Sequence, residues 1–223
     1  MTTQKGKGIG AWHGFTIDGD LHTCWLCQRA VSGKSLRCPD CGALQPMHDI
    51  NHFALLGLEP RFDLDLDDLD RHYATARRTL DPERLAVKTP RAGTVAVRYT
   101  ALMETAYDTL RNPVSRARYL LELEDIEVKA SGNEPVAVEP APYRSELDTL
   151  AVEVESAADC TTVDRLAAHV VHEIEACINS LSNAFRAGRT GEARLALAHH
   201  DRLQSLSEAA RHRRLILTTP HGF

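Results

Sequence analysis

Four cysteines fall within eighteen residues, as Cys24-Trp25-Leu26-Cys27 and Cys38-Pro39-Asp40-Cys41, and they constrain this chain more than any other feature. Two Cys-x-x-Cys pairs separated by ten residues fold as two tight knuckles whose sulfurs meet in a tetrahedron, the geometry zinc prefers and iron also accepts. The turn Cys38-Pro39-Asp40-Cys41-Gly42 supplies backbone N–H groups to the thiolates and a glycine where positive φ is needed. So short a segment has almost no core of its own. Order must therefore come from the ion, and structural zinc supplies on the order of 10–16 kcal/mol of apparent binding energy. With Cys24, Cys27, Cys38 and Cys41 as ligands no coordination position stays open for water, so the spacing predicts structural zinc rather than a catalytic metal. Iron–sulfur binding and a redox dithiol are the other chemistries this spacing admits. His22, His48 and His52 flank the segment and read as surface histidines, while the isolated Cys160 and Cys177 read as residues that cap or fill helices.

The rest of the chain carries helical periods. Residues 49–58 read as a short helix closed near Gly57. Leu66, Leu69, Tyr73 and Leu80 mark a second helix capped by Asp63 or Asp65. After a break at 81–93, Val95, Tyr99, Leu102, Ala106, Tyr107 and Leu110 form another stripe, ended by Asn112-Pro113, and a short helix follows over 114–123. Residues 127–142 hold three prolines and no period and read as a linker. Beyond it, three apolar-periodic stretches over 147–154, 163–185 and 195–210 are joined by short loops, which predicts antiparallel packing. No strand pattern is evident. The expected fold is all-α: a flexible leader (1–23), a zinc-binding knuckle (24–47), a helical domain (48–126), the linker (127–142) and a C-terminal antiparallel three-helix bundle (143–216).

A net charge of −5 and a pI near 6.1 argue against wholesale binding to nucleic acid or an anionic membrane. The alternative of a nucleic-acid-binding zinc ribbon rests on Arg29, Lys34, Arg37 and Trp25 alone. No run of about 18 apolar residues occurs, and the opening residues lack both the apolar core of a secretion signal and the Arg-rich pattern of a transit peptide. The expected setting is reducing and cytoplasmic, with the mitochondrial matrix as alternative. No Gly-rich phosphate loop, nucleophile elbow, pair of catalytic carboxylates or zinc-binding helix of the His-x-x-x-His kind is evident, so the chain does not read as an enzyme. His199-His200 reads as a solvated face.

The runs CWLC…CPDCGALQP, HFALLGLEPRFDLDLDDLDRHYATARRTL and AYDTLRNPVSRARYLLEL resemble the HscB-type J-domain co-chaperones of iron–sulfur cluster assembly, in the form that carries a metal knuckle. The similarity covers about residues 24 to 128; beyond the linker only the three-helix architecture matches. The resemblance implies a J-domain helical hairpin whose tip docks on a seventy-kilodalton heat-shock chaperone and triggers its ATP hydrolysis, with the bundle presenting an iron–sulfur scaffold protein as client. Chaperone contacts would fall on Arg77, Arg78, Asp81, Pro82, Glu83 and Arg84. The family's tip is His-Pro-Asp, and here it is Asp81-Pro82-Glu83, a sequence that is also a favourable helix start with Asp as cap and Pro in the first turn. An adaptor that binds chaperone or client without stimulating hydrolysis is the alternative this departure raises. Client contacts would fall on Tyr143, Leu147, Leu150 and Arg202, although helical spacing alone accounts for Leu147 and Leu150 as core.

Overall fold

The structure is a computed structural model; it describes residues 21–32, 35, 37–45, 50–80, 90–131 and 144–219. The expected tip, Asp81 to Arg84, and Tyr143 lie outside the described residues. Two three-residue strands, β1 (Leu21–Thr23) and β2 (Ala30–Ser32), pair antiparallel with His22 opposite Val31. Seven helices follow among the described residues: α1 (His52–Leu55), α2 (Leu66–Thr79), α3 (Pro90–Arg111), α4 (Pro113–Ala130), α5 (Arg144–Ser156), α6 (Cys160–Arg186) and α7 (Thr190–Thr218). The chain divides into two compact units, residues 1–50 with 80–99 and residues 51–79 with 100–223.

In the second unit, local chemistry sets each helix end. Asn51 caps α1 by accepting the Ala54 N–H at 2.8 Å. Gly57 ends it at φ +71° in a Schellman turn, with Leu58 N bonded to Phe53 O at 2.8 Å and Gly57 N to Ala54 O at 3.1 Å. Asp65 caps α2 through Asp67 N (2.9 Å) and Asp68 N (3.3 Å), whereas Asp63 instead binds Ser182 (2.8 Å) and Arg186 (2.6 Å) on α6. Acids in the first turn of α2 and Arg77 and Arg78 in its last turn both complement the helix dipole. Asn112 stops α3 and caps α4 through Val114 N and Ser115 N, at 2.9 and 3.0 Å, with Pro113 in the first turn.

Helix α2 runs antiparallel to the C-terminal half of α3. Asp70 meets Arg111 (3.1 Å) and Tyr107 (2.8 Å), Tyr73 stacks on Tyr107 with centroids 4.3 Å apart, and Arg77 reaches Glu104 (4.0 Å). As the number rises along α2 it falls along α3, which is the expected hairpin. The Tyr119 ring of α4 stacks on His52 at 4.2 Å, and its hydroxyl accepts the His52 N–H at 2.9 Å.

The three long helices α5, α6 and α7 form the expected bundle. One core layer holds Leu147, Val170, Cys177, Leu203 and Leu206, and another Val154, Val163, Leu166 and Ala210. A third layer joins Phe62 and the α4 residues Ala117 and Leu121 to Leu181, Ala184, Ala193 and Leu197. Helix α4 is therefore built into the bundle, reinforced by ion pairs from Arg118 to Asp201 and from Arg194 to Asp125 (2.5 Å).

Three expectations need correction. The leader does not extend to residue 23, because Leu21–Thr23 pairs with β2. The linker does not begin at 127, because α4 continues through Glu127–Ala130 and is closed by Ser131. These residues show no apolar period because that end of α4 is solvated, with Ile126 58% exposed. His200 is buried rather than solvated, since it occupies the core stripe between Leu197 and Leu203.

Candidate functional site

Three sites were expected from the sequence. The first is the cysteine cluster in the first unit, where two knuckles are built alike. Cys24 N–H donates to Arg29 O (2.8 Å) and Gln28 N–H to Cys24 O (3.0 Å); Cys38 N–H donates to Ala43 O (2.9 Å) and Gly42 N–H to Cys38 O (2.9 Å). In each knuckle the residue four after the first cysteine takes positive φ: Gln28 at 62° and Gly42 at 71°. Glycine supplies this freely in the second knuckle; in the first, glutamine is held there by the bonds around it. Arg29 ties the two turns together through Asp40 at 2.6 Å.

The turns bring all four sulfurs within 4.8 Å of one another. Cys24 Sγ lies 3.6 Å from Cys41 Sγ, and Cys27 Sγ 3.6 Å from Cys38 Sγ. A tetrahedron with metal–sulfur bonds of about 2.3 Å has edges of about 3.8 Å, so the donor set fits such an ion, and 3.6 Å is far too long for a disulfide. Burial pushes the Cys24 thiol up, but the N–H groups of Cys27 and Leu26 and the thiols of Cys27 and Cys41 outweigh it and bring it down to about 6. At Cys27 the Arg29 N–H favours the thiolate, yet burial and the thiols of Cys41, Cys38 and Cys24 push it up to about 12. The N–H groups around Cys24 thus favour the thiolate form that a cation ligand requires. His22 and His52 do not join the cluster; His52 is held by Tyr119, and burial lowers its pKa. Gln45, which sequence reasoning passed over, is 4% exposed and donates Nε2–H to Cys24 Sγ at 3.3 Å.

The second site is the basic face of α2. Arg71 and Arg78, seven residues apart, share the outer face and are both exposed; Arg71 is ion-paired with Asp68 one turn back, whereas Arg78 has no ion pair among the described residues. Arg77 is also exposed but partly engaged, with its guanidinium over the Tyr73 ring at 6.0 Å and 4.0 Å from Glu104.

The third site, the first bundle helix, is divided. Leu147 is 6% exposed and belongs to the core; Leu150 is half-buried and packs against two core layers. Both line a groove of about 760 Å³ among α5, α6 and α7, with Leu166, Leu203 and the carboxylates of Glu146, Glu153 and Glu173. Arg202 stands on another face, exposed and ion-paired with Asp148. Burial lowers the pKa of His199, beside the carboxylates of Glu173 and Glu146.

A helical hairpin fused to a three-helix bundle, with a four-cysteine knuckle before it, is the architecture of a J-type co-chaperone. Comparison with known proteins gives the particular family. No family model matches the chain. It is 31% identical to the co-chaperone protein HscB of Proteus mirabilis over 126 residues, 56% of this chain and 71% of that protein. It is 36% identical over 116 residues to the HscB homolog of Paraburkholderia phymatum, covering 52% of this chain and 65% of the relative. The iron–sulfur cluster co-chaperone HscB homolog of Arabidopsis thaliana is 25% identical over 171 residues, 76% of this chain and 66% of its own. The chain belongs to the HscB co-chaperone family. The fold agrees: crystal structures of human HscB (TM-score 0.70, 21% identity, 88% of this chain and all of that one) and of the chaperone HscB from Vibrio cholerae (TM-score 0.59, 23% identity, 75% of this chain and 99% of that one) superpose on it. Among the described residues no helix is long and apolar enough to cross a membrane.

Proposed function

We propose that this chain is a non-enzymatic cytoplasmic co-chaperone of iron–sulfur cluster assembly, which docks on a seventy-kilodalton heat-shock-type chaperone and delivers an iron–sulfur scaffold protein to it. The observation that carries this reading is the antiparallel pairing of α2 with α3 in a chain of the HscB family, with Arg71 and Arg78 turned outward along α2. Two guanidinium groups two turns apart on one rigid face suit an acidic surface and steer association more than they add affinity. Arg77, Arg78 and Arg84, with Asp81, Pro82 and Glu83, form the chaperone contact in this reading. Tyr143, Leu150 and Arg202 form the client contact, with Leu147 supporting it from the core. Zinc is the ion for the four cysteines, since S₄ ligation closes its tetrahedral shell. The chain catalyses nothing itself.

A second reading follows from the tip. Replacing the family's His by Asp81 substitutes a fixed anion for a neutral ring, and Glu83 extends the carboxylate by one methylene. Each buried mismatch in a pocket built for the original pair costs roughly 1–3 kcal/mol, which weakens coupling about tenfold to a hundredfold. A chain so weakened is an adaptor rather than a stimulator. Single-turnover ATP hydrolysis by the organism's own chaperone separates the two. Acceleration by the wild type, lost in Arg71→Glu/Arg78→Glu, supports the first reading. No acceleration by the wild type, regained in Asp81→His/Glu83→Asp, supports the second.

A further inference from the structure

We infer that Gln45 couples the metal site to the first half of α3, so that filling the knuckle with an ion orders that stretch of helix. The claim concerns the first unit alone and is independent of what the hairpin binds.

The coupling is visible atom by atom. The Gln45 side chain is buried and spends both its N–H donors, one on Cys24 Sγ at 3.3 Å and one on Ala43 O at 2.9 Å. Its backbone carbonyl accepts the Tyr99 hydroxyl of α3 at 2.8 Å, and Tyr99 is 3% exposed. One residue therefore holds a ligand sulfur with its side chain and a helix with its main chain. A parallel link runs through Trp25, inside the first Cys-x-x-Cys turn: its Nε1–H donates to Leu44 O at 2.6 Å, and the Arg91 guanidinium lies 5.0 Å from its ring centroid. Arg91 and Tyr99 are eight residues apart, about 12 Å along the helix, so the knuckle grips α3 at two points more than two turns apart. Between them Ala92 and Ala96 belong to the same buried stripe of α3 as Tyr99.

The knuckle has little else to hold it. Its core is Cys24, Val31 and Cys38, with Cys27 and Ala43 against it, so three of five core members are metal ligands. An ion that fixes the ligands fixes Cys24 and the Ala43–Gln45 segment that leans on it. The amide also favours a thiolate over a thiol at Cys24, because a hydrogen bond to the anion is the stronger one. Gln45 is therefore a positioning residue, and Tyr99 acts through it.

Binding free energies are reciprocal: if the ion tightens α3, then α3 tightens the ion by the same factor. The test uses the full chain loaded with one equivalent of zinc. Two quantities are read, the rate of zinc transfer to a chromogenic chelator and backbone hydrogen exchange over residues 91–99. Tyr99→Phe removes one hydroxyl, touches no ligand and keeps the ring. It should speed zinc release about threefold to tenfold, the effect of losing one buried hydrogen bond, and speed exchange over 91–99 by a similar factor. Gln45→Met should do the same while binding the same one equivalent. Arg98→Ala, on an exposed side of the same helix, should change neither. Stripping zinc from the wild type should accelerate exchange over 91–99 more than over 102–111. Zinc release unchanged in Tyr99→Phe, or exchange over 91–99 indifferent to zinc, would overturn the inference, as would an Arg98→Ala effect of equal size.

Discussion

Leu181→Ala tests the shared core in which α4 and the bundle meet. Leu181 is fully buried and packs with Phe62, Ala117, Leu121, Ala184, Ala193 and Leu197. Removing three carbons forfeits about 2.4 kcal/mol of transfer free energy at about 0.8 kcal/mol per methylene. The cavity adds to this, and measured costs of such changes in cores run from about 2.7 to 5.0 kcal/mol. Three of the six neighbours are alanines on helices, which cannot swing into the hole, so we expect about 4 kcal/mol. Urea unfolding followed by far-UV circular dichroism and by amide NMR signals from α2, α4 and α7 should show one transition, shifted for all three helices together. A loss under about 1.5 kcal/mol, or α7 unfolding separately from α2 and α4, would refute a common core.

Metal analysis should find one zinc per chain, and Cys38→Ser should abolish it and melt the β1–β2 signals while leaving the bundle intact. Gly57→Ala should cost about 1–2 kcal/mol, measured by urea unfolding, because alanine is strained at φ +71° and its Cβ would sit 3.4 Å from His72 Nδ1, which is bonded to Leu56 O. Burial lowers the pKa of both His52 and His199, so the unfolded chain takes up their protons at a higher pH than the folded one. Stability should therefore be fully present above about pH 6.5 and fall as the pH drops below it, a slope that His52→Gln/His199→Gln should reduce in pH-dependent urea titrations. A pH profile unchanged by the double substitution would contradict that assignment.

Much of this was legible in the residues because the stops are chemical. Gly57 and Asn112-Pro113 end helices where their residue chemistry predicts, and the cysteine spacing pointed to the four sulfurs that lie close enough to hold one ion. Three-residue strands carry no period, so β1 and β2 left no signal. The end of α4 was hidden because solvated helix and linker look alike when neither buries a stripe. The core role of His200 was readable, since it lies three residues after Leu197 and three before Leu203, but two adjacent histidines suggested a polar face. Gln45 had no sequence signature: its importance comes from Cys24 and Tyr99, which lie 21 and 54 residues away.

The central claim is that a chaperone grips this molecule along α2. Hydrogen exchange of the full chain, with and without the ATP-bound form of its own seventy-kilodalton chaperone, tests it most directly. Protection should appear over Leu66–Thr79 and vanish in Arg71→Glu/Arg78→Glu. A footprint confined to α5, α6 and α7, or one that survives reversal of both charges on α2, would contradict it.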